Sequence, residues 1–260
     1  MVIDYIVPII VFLLIGGAAG VILTAAAKAL EVESDETVEK ILEHLPGINC
    51  GACGLSGCEA YAAAVKDGTC APNLCKPGGE KTALGMSEVL GIKVEAGERE
   101  AAFVHCAGVT TEDKYVYGGT STCAASERYY SGKGNCKDGC LGFGDCVRVC
   151  EYGAICLVDG VAVVNSNKCS ACALCVKTCP NKLITLRKIS EKVKIVCSSK
   201  SAGKVTRAVC GHGCIACGIC VKKCPEGAVE VRDNHAVIDY NKCTNCGVCA
   251  GICPSKCIVN

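Results

Sequence analysis

The sequence predicts an α+β chain with an N-terminal transmembrane helix, a small helical cysteine-rich domain, and two tandem modules of short hairpins and cysteine runs. Three observations carry this reading. Residues 5–27 are uncharged and almost wholly apolar. The cysteines, 27 of 260 residues, fall into repeated short-spaced runs. The stretch 136–179 is echoed at 210–253, so one unit occurs twice.

The transmembrane helix follows from length. Tyr5 to Ala27, bounded by Asp4 and Lys28, is long enough at helical rise to cross the hydrocarbon layer with some tilt. A cleaved signal peptide would want a basic start and a shorter apolar run. Met1-Val-Ile-Asp4 supplies no basic start. Gly16 and Gly20 could admit a partner helix closely, or be ordinary membrane-helix composition. Lys28 is the sole nearby positive charge, so orientation rests on the chemistry downstream.

Composition narrows that chemistry. A secreted disulfide scaffold is usually short and seldom repeats C-x2-C, so clustered cysteines point to metal and a reducing compartment. With 30 Gly, no Trp and three Phe, an aromatic core is not expected over much of the length. Inorganic clusters would then replace part of the core, and ligation would drive folding. The net charge of +1 selects no partner by itself.

The strongest motif lies at the C-terminal end. Cys214, Cys217, Cys220 and Cys224-Pro225 form a C-x2-C-x2-C-x3-C-P run, as do Cys243, Cys246, Cys249 and Cys253-Pro254. This is the bacterial ferredoxin signature for [4Fe–4S] clusters, in which the fourth Cys of each run serves the other run's cluster. The predicted sets are Cys214, Cys217, Cys220 and Cys253, and Cys243, Cys246, Cys249 and Cys224. Zinc needs four sulfurs and would leave half of the eight idle.

The earlier repeat is less regular. Cys169, Cys172, Cys175 and Cys179-Pro180 form a full run, but Cys140, Cys146 and Cys150 lack a second thiolate, with Phe143 in its place. Cys136, four residues before Cys140, is predicted to replace it. The sets become Cys136, Cys140, Cys146 and Cys179, and Cys169, Cys172, Cys175 and Cys150. Apolar stretches 154–164 and 228–238 alternate around Asp-Gly and Asp-Asn turns and predict a small hairpin in each module. Upstream, Cys50, Cys53, Cys58 and Cys75 follow C-x2-C-x4-C-x16-C spacing with glycines between them. They predict a fifth cluster, with Cys70 as a competing ligand and zinc as the rival metal. Short helices are expected over 37–45 and 59–66. The fold is therefore an N-terminal transmembrane helix (1–30), a small helical iron–sulfur domain (31–95), and two tandem 2[4Fe–4S] ferredoxin-like modules (96–187 and 188–260).

Seven cysteines remain. Cys70, Cys156 and Cys257 read as packed small hydrophobes. Cys106, Cys123, Cys197 and Cys210 are enough for a sixth cluster bridging the modules; four free thiols are the alternative. Residues 182–207 carry eight Lys and Arg against Glu191 alone. A solvated face is the plain reading. RNA binding lacks an aromatic platform, and an acidic protein partner fits better. No nucleophile–base arrangement, Walker loop or dinucleotide fingerprint occurs, and His44, His105, His212 and His235 read as surface residues.

Leu45-Pro-Gly-Ile-Asn-Cys50-Gly-Ala-Cys53-Gly, with Cys58 and Cys75-Lys-Pro-Gly-Gly, stands after a membrane helix and before ferredoxin runs. This arrangement resembles the B subunit of Rnf complexes. The two-module layout with Cys140-Leu-Gly-Phe-Gly-Asp-Cys146 is similar to the long form of anaerobic bacteria. The resemblance implies a membrane-anchored electron-transfer subunit of an ion-translocating ferredoxin:NAD⁺ oxidoreductase. Reduced soluble ferredoxin would be the donor, other subunits the partners, and the cytoplasmic face of the inner membrane the location of the soluble part. No nucleic acid is expected. A ferredoxin subunit of another reductase or hydrogenase, or an anchored cluster sensor or carrier, remains the alternative.

Overall fold

The computed structural model describes residues 2–29, 35–108 and 113–260. The first domain boundary, at 30/31, lies outside them. Helix α1 (Val2–Ala29) covers the apolar segment. Its stretch Ile9–Ala26 is long and apolar enough to cross a membrane, and none of it is buried against the rest of the chain. An apolar surface all round a helix is stable in lipid and costly in water.

Three helices build the next domain: α2 (Glu36–Glu43), α3 (Cys58–Lys66) and α4 (Gly79–Leu90). Asp35 caps α2 by accepting the Thr37 N–H at 2.9 Å and pairs with Lys66 at 2.6 Å, tying α2 to α3. Ile41, Tyr61, Ala62 and Met86 form the centre. The Tyr61 hydroxyl donates to the Ala71 carbonyl at 3.0 Å and accepts from the Leu74 N–H at 3.1 Å, fixing the loop that delivers Cys75. Gly91 ends α4 in the left-handed conformation (φ 65°), the usual glycine C-cap.

The first module runs β1 (Glu100–Val104), α5 (Cys123–Glu127), α6 (Asp145–Arg148), β2 (Ile155–Val158), β3 (Val161–Val164), α7 (Leu174–Thr178) and β4 (Ile184–Lys188). The second runs β5 (Lys194–Ile195), α8 (Gly203–Val209), α9 (Ile219–Lys223), β6 (Val229–Arg232), β7 (His235–Ile238), α10 (Val248–Ile252) and β8 (Ile258–Val259). Both expected hairpins form, β2–β3 and β6–β7. Asp159 and Gly160 (φ 49° and 78°) and Asp233 and Asn234 (φ 47° and 62°) make their two-residue turns with the positive φ pair such turns require. A second antiparallel pair frames each module. β1 lies against β4, with Glu100 opposite Lys188, and β5 lies against β8.

That frame changes the reading of the basic stretch. It contains β4 and β5 and runs on into α8, so it closes one module and opens the next. Lys188 pairs with Glu98 at 2.9 Å, Arg187 stacks 4.5 Å over the Tyr240 ring, and Lys194 sits 5.3 Å over Phe103. Lys192, Lys200, Lys204 and Arg207 stay exposed. His105 joins the modules and is not a surface residue. Its Nδ1 lies 2.9 Å from the Ile195 carbonyl and therefore carries the proton; its Nε2 accepts from Thr185 Oγ1 at 2.8 Å. Burial holds its pKa below the ordinary value, which favours this neutral form. Lys177 donates to the Cys50 carbonyl at 2.7 Å and Lys76 pairs with Glu100 at 2.6 Å, joining the helical domain to the first module.

Candidate metal centres

The cysteine runs share one backbone device. In each regular run the residues before and after the second Cys have positive φ: Ala171 and Ala173 (58° and 62°), Ala216 and Gly218 (55° and 70°), Asn245 and Gly247 (57° and 75°). This curls the loop so that three thiols face one space. The third Cys rides the short helix that follows, and the fourth caps its end. Proline after the fourth Cys forbids helical backbone there. Accordingly Cys179, Cys224 and Cys253 are extended (ψ 113°, 117° and 114°) and leave their own run. Cys150 lacks the proline, yet its sulfur accepts the Ala154 N–H at 3.3 Å, as Cys224 accepts that of Ala228 at 3.3 Å.

Two of the predicted sets line spaces of their own. Cys150, Cys169, Cys172 and Cys175 surround one of about 320 Å³, solvent at its mouth included. Cys214, Cys217, Cys220 and Cys253 surround one of about 340 Å³. Cys249 lies within electrostatic reach of Cys243 and Cys224, grouping the fourth Cys of one run with the other run. In the helical domain, burial pushes the Cys75 thiol up, and Cys58, Cys50 and Cys53 add to it. Cys75 therefore lies near the other three, and Cys53, Cys58, Cys70 and Cys75 all pack against the domain's core. Asn49 Oδ1 accepts the Cys58 N–H at 2.7 Å, and a Cβ on Gly57 would approach that oxygen to 2.8 Å, so glycine is needed there.

The irregular run is completed from an unexpected side. The space of about 410 Å³ beside it is lined by Cys140, Cys146, Cys179 and Cys123, not Cys136. Gly142 and Gly144 keep the left-handed pair (φ 77° and 74°), so the loop still curls around Phe143. Cys123, the first residue of α5, accepts a backbone hydrogen bond from Phe143. Its sulfur thus lies beside Phe143, the residue in the second-Cys place. Asp145 holds it there: the carboxylate accepts the N–H groups of Cys123 at 3.0 Å and Ala124 at 3.1 Å and also binds Arg148. Asp145 occupies the place of Leu174, Ile219 and Val248 in the regular runs. That buried acid in an apolar position was the sequence signal for a contact from outside the run. Cys136 instead neighbours Cys106 and Cys197.

The helical domain's set and the two sets of the first module neighbour one another. Tyr152, its phenol pushed up by burial, lies within electrostatic reach of Cys172 and of Cys50 in the helical domain. Burial raises the Cys175 thiol to about 12, and Cys146 of the neighbouring set contributes. Among the spare thiols, Cys257 is buried against Cys253 at 3.5 Å, as expected of a packed residue. Cys156 is exposed instead, because it points from the open face of the β2–β3 hairpin.

The donor set fits iron–sulfur clusters. Its members are cysteine sulfurs with backbone N–H donors aimed at them, such as Ala102 on Cys169 and Ala236 on Cys214, both at 3.3 Å. Among the described residues no three His, Cys, Asp or Glu side chains close on a single ion. Ligands of a cubane bind different irons at its corners and stand farther apart than ligands sharing one ion.

Comparison with known proteins agrees. An Fe-S cluster family model matches residues 45–77, and models of a 4Fe-4S dicluster domain match 168–229 and 213–257. The 168–229 match joins the last run of the first module to the first run of the second; the spatial pairs are instead α6 with α7 and α9 with α10. The chain is 38% identical to the B subunit of the Na(+)-translocating ferredoxin:NAD(+) oxidoreductase complex of Acetobacterium woodii, over 97% of this chain and 77% of that protein. It is 40% identical to the B subunit of the ion-translocating oxidoreductase complex of Methanosarcina acetivorans, over 88% of each. With the B subunit of the proton-translocating ferredoxin:NAD(+) oxidoreductase complex of Clostridium ljungdahlii it shares 35% identity, over 91% of this chain and 85% of that one.

Proposed function

We propose that this chain, which belongs to the B-subunit family of ion-translocating oxidoreductase (Rnf) complexes, accepts electrons from reduced ferredoxin and relays them toward the membrane subunits of a ferredoxin:NAD⁺ oxidoreductase. As a member it is an iron–sulfur electron-transfer subunit of a membrane-associated redox complex. The observation that carries the finer reading is that ligand sets neighbour one another, the helical domain's with the first module's and the first module's two with each other. Electron tunnelling falls steeply with distance, so a row of neighbouring centres is what a relay requires.

We assign five clusters to the chain: Cys50, Cys53, Cys58 and Cys75; Cys150, Cys169, Cys172 and Cys175; Cys123, Cys140, Cys146 and Cys179; Cys214, Cys217, Cys220 and Cys253; and Cys224, Cys243, Cys246 and Cys249. When bound, each supplies reversible one-electron storage. The chain's own residues fix position and tune electronics. Left-handed loops seat the thiolates, and backbone N–H groups pointed at sulfur stabilise the added negative charge.

Uptake is placed at the second module, where Cys217 and Cys246 are exposed and Lys222, Lys223 and Lys256 stand at the surface. An acidic ferredoxin would dock there and on Lys192, mainly through faster association. The helix crosses the membrane once, with the soluble part on the cytoplasmic side. Flavin, nicotinamide and ion sites lie on other subunits. The test is stopped-flow reduction of the anaerobic complex by reduced ferredoxin. Cluster bleaching at a rate that falls steeply with salt supports the reading. Oxidised clusters that ferredoxin leaves unreduced, while dithionite reduces them, would refute it.

A further inference from the structure

Cys106, Cys136, Cys197 and Cys210 belong to none of the five sets, and the fold gathers them at the seam between the modules. Cys106 follows β1 and Cys197 follows β5, and the two residues face each other in an antiparallel bridge. Cys136 and Cys210 stand at equivalent places, each four residues before a ligand, Cys140 or Cys214. Each opens the same turn, its carbonyl accepting the N–H of Gly139 at 3.3 Å or Gly213 at 3.4 Å. The sulfurs of the bridge pair are matched in the same way. Cys106 Sγ accepts the Cys140 N–H at 3.4 Å, and Cys197 Sγ accepts the Cys214 N–H at 3.2 Å. The seam is thus pseudo-symmetric, with two thiols and one N–H···S bond from each module.

The four thiols also neighbour one another across the seam. Cys136 lies within electrostatic reach of Cys106 and Cys197. Cys210 lies within reach of the same two. All four are half-buried. Three local devices hold the seam shut around them: the His105 bonds to Ile195 and Thr185, Ser198 Oγ donating to the His105 carbonyl at 3.4 Å, and the Lys200 N–H donating to Asp138 at 2.9 Å.

We propose that Cys106, Cys136, Cys197 and Cys210 hold a sixth [4Fe–4S] cluster, two ligands from each module. The assignment rests on reading the other five sets as cluster sites. It exchanges Cys136 for Cys123 relative to what spacing alone predicts, because Cys123 is committed to Cys140, Cys146 and Cys179. The site also stands between one ligand set of each module. It is a single N–H···S bond from Cys140 of one neighbouring set and from Cys214 of the other.

The test uses the complex purified anaerobically from native membranes. Iron, sulfide and zinc are counted on this chain, and the reduced-state EPR spins are quantified. The wild type should hold about 24 irons, four for each of six clusters. Cys136→Ala and Cys197→Ala should each lose about four, and the double variant no more than either single change. Cys123→Ala should lose a different four, so that Cys123→Ala with Cys136→Ala loses about eight. Equal loss from that pair and from Cys123→Ala alone would put both residues in one cluster and overturn the proposal. Should a variant fail to fold, alkylation of the wild type followed by mass spectrometry decides. Protection of all four thiols until iron is chelated, with Cys156 reacting at once, supports the site. Saturation at about twenty irons with the four thiols alkylated, a Cys106–Cys197 disulfide, or one zinc per chain would each overturn it while sparing the five-cluster reading. Iron near zero would overturn both.

Discussion

Replacing Asp145 tests how the irregular run is completed. Its carboxylate accepts two backbone N–H groups at the start of α5, from Cys123 at 3.0 Å and Ala124 at 3.1 Å, and is itself buried. In Asp145→Ala both donors lose their partner and α5 loses its tether to α6. A buried donor left unpaired costs about 1–3 kcal/mol. Taking the low end for each, since α5 can move toward water, gives about 2–3 kcal/mol in all. That corresponds to a roughly 30- to 140-fold rise in the population with Cys123 detached. Asp145→Asn keeps one acceptor and should lie between. The assay is timed chelation of the anaerobic holoprotein, with EPR and mass spectrometry of alkylated Cys123. The expected result is selective loss of one cluster, with Cys123 alkylated early and Cys169 still protected. If Cys123 stays protected and all clusters leave together at the wild-type rate, Asp145 does not position it.

Other consequences can be checked separately. Lys192→Glu with Lys222→Glu and Lys223→Glu should slow reduction by ferredoxin several-fold at low salt, leaving reduction by dithionite unchanged; equal slowing with both would mean a damaged fold. Tyr61→Phe leaves the Ala71 carbonyl and Leu74 N–H unpaired and should destabilise the helical domain by about 1–3 kcal/mol, read as faster loss of its cluster during denaturant titration. Complete iron removal should unfold both modules, because ligation free energy is folding free energy; native-like far-UV circular dichroism in the apo chain would contradict this. His105→Ala removes both bonds that join β5 to β4 and should raise hydrogen exchange along β5 without changing exchange in the helical domain.

The sequence was most legible where ligand spacing is local. The regular runs, the two hairpins and the helices around Cys58 follow from short-range rules: proline after the fourth Cys, positive φ at the turns, and a helix on each third Cys. What lay beyond it depended on long-range pairing. The frames β1–β4 and β5–β8 join strands far apart in the chain, and β5 and β8 are two residues each, too short for a periodic signal. The basic stretch therefore reads as a solvated face, although Arg187, Lys188 and Lys194 sit on the framing strands β4 and β5. Cys123 was hidden for a similar reason. Proximity along the chain favoured Cys136, whereas the sulfur position is set by α5 folding back onto Asp145. The exposure of Cys156 was equally unreadable, since alternation does not say which face of a hairpin is covered.

The most direct test of the relay is rapid freeze-quench EPR after mixing the oxidised anaerobic complex with one equivalent of reduced ferredoxin. The account predicts that the signal of the second module appears first and that of the helical domain's cluster follows. In Cys217→Ala the later signal should be delayed or lost. Reduction of the helical domain's cluster first, or at an unchanged rate when the second module's clusters are removed, would contradict a row that runs from the exposed module to the membrane.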